Sequence, residues 1–311
     1  MTRARIAIVG PTASGKTDLA IAVARALGGE IISADSRQAY RGFRVGTAAP
    51  TDEEVAAVPH HGVGILEPNE RYGAGRFAEL ADTASRAIVE RGNVPIVAGG
   101  TGLFIRALTH PMFREPECPP EVRERIRDRI DALPAEEVTR WALRLDPEEG
   151  ERDQQRAART IELVLLTGRT LGWWIEHGQP ERQAFEGPVF AIDMPGELLR
   201  ERIERRAEAM LESGAWEAEV RTLDRAGHAE SRAFDALGYR DMQELVRGRI
   251  DRSEALERII ASTWAYARRQ RTWFRHQLPE RAVRLDGAAA TDQLSQAIIR
   301  EWRAVQSAAS E

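Results

Sequence analysis

Apolar residues follow two rhythms along this chain. Short runs of β-branched and small apolar residues, "RIAIVG", "EIISADS", "VPIVAGGTG" and "PVFAIDM", carry little internal alternation and end in glycine or polar loops. Such runs are the mark of strands buried on both faces of a parallel sheet. Between them the period lengthens. "KTDLAIAVARAL" is amphipathic and stops at Gly28-Gly29, a helix C-terminal signal, and "GRFAELADTASRAIVERG" has the same helical spacing. "GVGIL" reads as a weaker strand, third in chain order, "RAVRLDG" as a last strand, and "TDQLSQAIIREWRAV" as a closing helix. Strands alternating with helices predict an α/β parallel sheet with helices on both faces.

The rhythm changes near Pro111. "PEVRERIRDRIDAL", "AEEVTRWALRL" and "QQRAARTIELVLLTG" follow one another as helices with no strand between them, before "PVFAIDM" returns to the sheet and "ELLRERIERRAEAMLESG" adds a long charged helix. The pattern predicts a helical insertion over residues 114–186 inside one α/β domain made of residues 1–113 and 187–311.

Composition narrows the function. With 311 residues, 42% hydrophobic and 30% charged, the chain is long enough for a sizeable core and is globular in character. A formal net charge of −5 excludes a global basic field, so a nucleic-acid site would have to be a local patch. Cys118 is the sole cysteine, which excludes an internal disulfide and a multi-cysteine zinc site. The apolar run at the N-terminus enters a glycine loop and is too short for a signal peptide. No stretch has the ~20 apolar residues of a membrane span. The expectation is a soluble, cytoplasmic protein without a membrane partner.

The chemistry starts at "GPTASGKT". Gly10-x4-Gly15-Lys16-Thr17 is a complete phosphate-loop pattern between a strand and a helix. Its glycines let the N–H groups of Gly10, Pro11-Thr12-Ala13-Ser14 and Gly15 turn around phosphate oxygens, the prolyl nitrogen excepted. The helix start adds its positive dipole end, Lys16 reaches an outer phosphate, and the Thr17 hydroxyl is placed to ligate Mg2+. Of the 44 Lys+Arg residues, Lys16 alone is lysine. A compact ammonium fits a tight cradle that a planar guanidinium would crowd. The pattern specifies a diphosphate or triphosphate and leaves three reactions open: an NTPase, a small-molecule kinase binding ATP, and a transferase holding a diphosphate leaving group.

Asp35 lies just past the second strand, where ligands of open α/β sheets sit, as a general base, a metal ligand or both. "VPIVAGGTG" ends in Gly99-Gly100-Thr101 rather than in an acid, which argues against a motor or switch NTPase and leaves Thr101 to contact phosphate oxygen.

In order and spacing, "GPTASGKT", "SADSRQAY", "VGTAAP", "GGTGLF", "LGYRDM" and "ARRQRTWFR" resemble the motif series of the tRNA dimethylallyltransferases over residues 6 to about 276. The resemblance implies a P-loop kinase-like fold with a helical insertion domain contacting tRNA. It also implies transfer of a dimethylallyl group from dimethylallyl diphosphate to N6 of the adenosine 3′ to the anticodon, with Mg2+, by a monomer. It makes Asp35 the general base and Thr101 a hydroxyl on the diphosphate, with Lys16 and Thr17 in the cradle. Arg206 becomes a second diphosphate ligand, with Arg202 as the alternative. The tRNA contacts it implies are Asp35, Ser36, Arg37 and Gln38; Arg123; Gln155, Arg156, Ala157, Ala158 and Arg159; and Asp235, Gly238, Tyr239 and Arg240. Two departures stand out: Ala49 replaces a lysine usual in the family, and the zinc finger of some eukaryotic relatives has no counterpart.

Residues 258–276, "RIIASTWAYARRQRTWFRH", interleave five arginines with Trp264, Tyr266, Trp273 and Phe274 and contain no acid. Arg268, Arg269 and Arg271 are candidates for RNA contact, and the aromatics for core packing or base stacking. An adenylate prenyltransferase, a P-loop kinase and a non-catalytic RNA-binding module remain as rival readings.

Overall fold

The computed structural model describes residues 5–110, 112–114, 116–150, 153–179 and 185–308. They form two compact units, one of residues 1–110 and 185–311 and the other of residues 111–184.

In chain order the larger unit opens with β1 (Ile6–Val9), α1 (Lys16–Leu27), β2 (Gly29–Ser33), α2 (Asp52–Ala57), β3 (His60–His61), α3 (Ala74–Glu90), β4 (Val94–Gly99) and α4 (Gly102–Thr109). The smaller unit then supplies α5 (Pro120–Asp131), α6 (Ala135–Leu145), α7 (Gln154–Thr167) and α8 (Leu171–His177). The chain returns through β5 (Val189–Asp193), α9 (Gly196–Glu212), α10 (Ala215–Arg225), α11 (Tyr239–Val246), α12 (Arg252–Gln277), β6 (Val283–Asp286) and α13 (Thr291–Ala308).

All strand pairs are parallel and the sheet order is β3-β2-β4-β1-β5-β6. Because side chains alternate along a strand, Ile6 and Ile8 enter the core beneath α1 and α13 together with Ile31, Ile96 and Ile192. Arg5, of the opposite parity, reaches Asp82 of α3 at 2.6 Å, which puts α3 on the other face. The apolar runs thus serve two covered faces, as their lack of alternation requires.

One expected strand is corrected. "GVGIL" is not a ladder strand: the third strand is His60–His61, and Leu66 makes only an isolated bridge to Tyr40. Gly62 and Gly64 adopt φ of 83° and 61°, so the backbone turns instead of extending. What looked like strand residues, Ile65 and Leu66, join a separate core with Phe43, Trp216, Tyr239 and Phe234.

In the smaller unit, Ile130, Val138, Ala142, Ala157 and Ile161 form the core of α5–α7. Over it sits Glu162, nearly buried, which accepts bonds from Arg123 (2.8 Å), Arg127 (3.1 Å) and Arg159 (2.9 Å).

Glu30 is the corresponding buried acid of the sheet. Its carboxylate accepts from Arg91 (2.7 and 2.9 Å) and Asn93 (2.8 Å) and contacts His61 (2.6 Å). The Arg91 bond outweighs burial and draws the Glu30 pKa down to about 2. A carboxyl whose pKa is lower folded than unfolded adds stability that is complete above its unfolded value and is lost as pH falls through the folded one. Denaturant titrations should therefore show stability declining from about pH 4.5 toward pH 2. Glu30→Gln should lower stability by about 1–3 kcal/mol at pH 7 and flatten that decline. An unchanged acid limb in the variant would remove Glu30 from this role.

Candidate active site

The phosphate loop leaves β1 at the carboxyl edge of the sheet, with β2 and β4 ending beside it. Two of its residues occupy the left-handed region: Gly15 at φ 84° and, unusually for a residue with a side chain, Ala13 at φ 62°. Ala13 packs against Met194, Leu199, Ile203 and Ala267, which hold it in that conformation. Gly15 is the N-cap of α1 and supplies no side-chain cap. The first-turn N–H groups of α1 therefore have no intrahelical or side-chain acceptor and are presented to an anion. Ser14 Oγ is buried in the loop without a hydrogen-bond partner.

Lys16 Nζ donates to the Pro11 carbonyl at 2.6 Å. Burial lowers the Lys16 pKa to about 8, the Asp35 carboxylate opposes that shift, and the Arg206 guanidinium adds to it. Arg206, reaching in from α9, donates to Thr12 Oγ1 at 2.9 Å. Its pKa too is lowered by burial and raised by the Asp35 charge. Arg202, one turn earlier, has Nη1 3.5 Å from the position a Cβ on Gly15 would take. Both arginines named from sequence thus overlook the loop, Arg206 at Thr12 and Arg202 at Gly15.

Asp35 follows β2. Its Oδ1 accepts from the Arg37 N–H (2.8 Å) and the Gln38 N–H (3.4 Å), and Oδ2 has no hydrogen bond among the described residues. Thr101 stands at the N-cap position of α4, yet its hydroxyl does not cap that helix. Instead Thr101 Oγ1 accepts from the Ser36 N–H at 3.1 Å, tying the end of β4 to the loop after β2. Gly99 is required here, because a Cβ would fall 2.3 Å from the Ala34 carbonyl oxygen.

Two residues of α12 complete the site, and neither was singled out for it from sequence. Gln270, 7% exposed, accepts the Thr12 N–H at Oε1 (2.8 Å) and donates from Nε2 to the Gly100 carbonyl (2.7 Å). Tyr266 lies beside Thr101, and burial beside the Asp35 charge pushes its phenol up to about 12, so it stays protonated. The signal for Gln270 was its spacing: Thr263, Ala267, Gln270 and Phe274 form the buried face of α12, and a glutamine there needs polar partners.

The residues expected to meet RNA separate by environment. Arg268 and Arg269 are exposed on α12, with the Arg269 guanidinium 5.8 Å from the Tyr266 ring centroid. Arg271 does not share their face: it is half-buried, with Nε buried and unpartnered. Gln155, Arg156 and Asp235 are exposed, and Ala158 is half-buried. Two side chains are corrected to packing positions. Ala157 is fully buried in the core of the smaller unit. Tyr239 is fully buried with its phenol donating to Glu219 at 2.5 Å. Gly238, at φ 79°, fits against Trp216, where a Cβ would lie 2.4 Å from the ring. Gln38 is committed internally: it accepts from Ser33 (2.9 Å) and donates to the carbonyls of Ala48 (3.0 Å) and Thr47 (3.3 Å). Arg37 donates to the Arg232 carbonyl (3.3 Å), Arg240 to the Ala229 carbonyl (2.9 Å), and Arg123 and Arg159 to Glu162. Ala49 donates its N–H to the Arg44 carbonyl (2.9 Å) in a turn that Arg44 also braces through Pro50 and Asp52.

Among the described residues no group of three or more His, Cys, Asp or Glu side chains could cage a metal ion, and no helix is long and apolar enough to cross a membrane.

The arrangement, a phosphate cradle with two arginines above it and one carboxylate facing it, has close relatives. The IPP transferase family model matches residues 38–277, and the isopentenyl transferase model matches residues 4–60. A tRNA dimethylallyltransferase of Anaeromyxobacter dehalogenans is 40% identical over 282 residues, 88% of this chain and 90% of that protein. One from Sorangium cellulosum is 40% identical over 277 residues, 88% of each. The solved tRNA isopentenylpyrophosphate transferase of Bacillus halodurans superposes with a TM-score of 0.70 at 28% identity, covering 99% of both chains. Matched in sequence from end to end of its site and in fold across both units, the chain belongs to the tRNA dimethylallyltransferase family of IPP transferases.

Proposed function

We propose that this chain transfers the dimethylallyl group of dimethylallyl diphosphate to N6 of the adenosine 3′-adjacent to the tRNA anticodon. The observation that carries the reading is the placement of Asp35: one carboxylate with a free oxygen, close enough to Lys16, Arg206 and Tyr266 for its charge to shift all three. The α1 amides, Lys16, Arg206, Arg202 and the Thr101 hydroxyl form the anion-binding side, and Asp35 the acceptor side.

In the reaction the N6 lone pair forms a bond to the allylic C1. The C1–O bond breaks, and its electron pair leaves with the diphosphate. The N6 proton goes to Asp35 Oδ2. Lys16 and the arginines take up charge that grows on the departing oxygen; Lys16 is already oriented by Pro11 and Arg206 by Thr12, so little reorganisation is needed there. The adenine has to leave its stack to reach Asp35. Mg2+ fits this donor set: the Thr17 hydroxyl opens α1, and with no carboxylate cage the ion would draw its other oxygens from diphosphate and water, as Mg2+ prefers. When bound it would supply charge to the leaving group. The smaller unit and the exposed face of α12 are assigned to tRNA, and the larger unit to catalysis.

Asp35→Asn tests the base. The amide oxygen can still accept from Arg37 and Gln38, so the loop should keep its form. A positioned base contributes ~10²–10⁴-fold, and kcat should fall by about that much with tRNA and dimethylallyl diphosphate affinities within a few-fold of normal. Turnover restored by excess Mg2+ would make Asp35 a metal ligand instead.

Lys16 makes a pH-dependent prediction. Protonated below a pKa of about 8 and neutral above it, Lys16 should hold inorganic diphosphate less tightly as pH rises through that value. Lys16→Arg should abolish most turnover while flattening the pH profile of binding, since the guanidinium stays charged. Normal turnover in that variant would count against a steric limit in the cradle.

Arg268 and Arg269 should act through phosphates. Changing both to alanine should weaken anticodon stem–loop binding and reduce the slope of log affinity against log salt by about 1–2, leaving diphosphate affinity intact. An unaltered salt slope would reduce both to surface charge.

A further inference from the structure

Beside the phosphate loop lies a cavity of about 260 Å³ lined by Pro11, Ile192, Asp193, Arg271, Phe274, Arg275 and Arg284. Pro11, whose carbonyl accepts from Lys16, is also part of its wall. Its floor is apolar, from Ile192 and Phe274, and its charge is three guanidiniums against one carboxylate. Arg284 spends Nη2 on the carbonyls of Phe274 (2.9 Å) and Arg275 (3.3 Å) at the end of α12. Arg271 makes no hydrogen bond or ion pair among the described residues, and its Nε is fully shielded from solvent. That Nε, a buried donor without an acceptor, is costly unless a ligand completes it. Gly196 makes room for it: a Cβ there would lie 2.9 Å from Arg271 Nη1. Gly196 is also the first residue of α9, a 17-residue helix without a side-chain cap, so the positive end of that helix opens beside the same guanidinium.

The geometry points to a second phosphate-binding subsite in which Arg271 and Arg275 hold one phosphate oxyanion, and Asp193 sets how tightly. The oxyanion could belong to free diphosphate or to a phosphodiester of the RNA, and the two sources are separable by experiment.

The test uses the full chain carrying Lys16→Ala, which removes the cradle's lysine, with folding checked by circular dichroism. Inorganic diphosphate is titrated by calorimetry, and anticodon stem–loop RNA by fluorescence anisotropy, at low salt. Added to that background, Arg271→Gln should lower affinity by about tenfold or more, the scale of a hydrogen bond to a charged group. Asp193→Asn, which removes the one negative charge in the cavity wall, should raise affinity. Arg275→Gln, at an exposed position, should act as Arg271→Gln does and guards against misfolding. Opposed shifts with inorganic diphosphate identify free anion as the occupant. Opposed shifts with RNA alone identify a phosphodiester. If Arg271→Gln and Asp193→Asn move both ligands in the same direction, or move neither, the subsite does not exist. Failure of the wild-type chain to prenylate RNA would sink the proposed activity and leave the diphosphate arm readable.

Discussion

The site depends on one buried amide. Gln270 joins the first turn of the phosphate loop to the end of β4, accepting from Thr12 and donating to Gly100, both at hydrogen-bond distances of a well-formed pair. In doing so it turns the Thr12 N–H away from the cradle and fixes the separation of two strand ends. The Gly100 position has no room for a side chain, since a Cβ would meet Gln270 Nε2 at 2.5 Å. Around this bridge the rest follows. Ala13 is held left-handed by the apolar cluster of α9 and α12, Arg206 is anchored on Thr12, and Tyr266, one turn before Gln270, reaches Thr101.

Electrostatically the site is a shortage of negative charge. Two half-buried cations, Lys16 and Arg206, share the single carboxylate of Asp35, and both have pKa values lowered by desolvation that the carboxylate only offsets in part. Such a site is least stable when empty and gains most from an arriving anion, because the ligand supplies the charge that the fold withholds. The same shortage explains why a lysine is kept: its ammonium bends back to Pro11 in a space bounded by two guanidiniums.

Elements were legible where sequence and local physics agree. The runs of β1, β2, β4 and β5 are apolar without alternation, and the Gly-rich turn with Lys16 has few other meanings. Asp35 was legible through its position after β2. The third strand was misread because "GVGIL" has strand composition, while its glycines, Gly62 and Gly64, take positive φ and its apolar residues serve another core. Gln270 was hidden for a different reason, and Arg271 was grouped with Arg268 and Arg269 as an RNA contact. Inside "ARRQRTWFR" they look like two more polar residues on a basic helix, and only the packing of α12 tells that one faces in between strand ends and the other lies under α9. Arg123 and Arg159, which the resemblance makes tRNA contacts, are half-buried and both donate to Glu162, a tie the sequence pattern does not show. Partners far apart in sequence are what a one-dimensional pattern does not carry.

The bridge from Thr12 to Gln270 spans 258 positions of chain. Strand β1 and its loop emerge from the ribosome well before the amide that organises them. A contact of that separation closes late, after the intervening chain has lost its loop entropy. A nascent chain stalled before α12 would therefore carry a complete phosphate-loop sequence with no rigid cradle, and would neither sequester diphosphate nor commit to RNA while still attached to the translating ribosome.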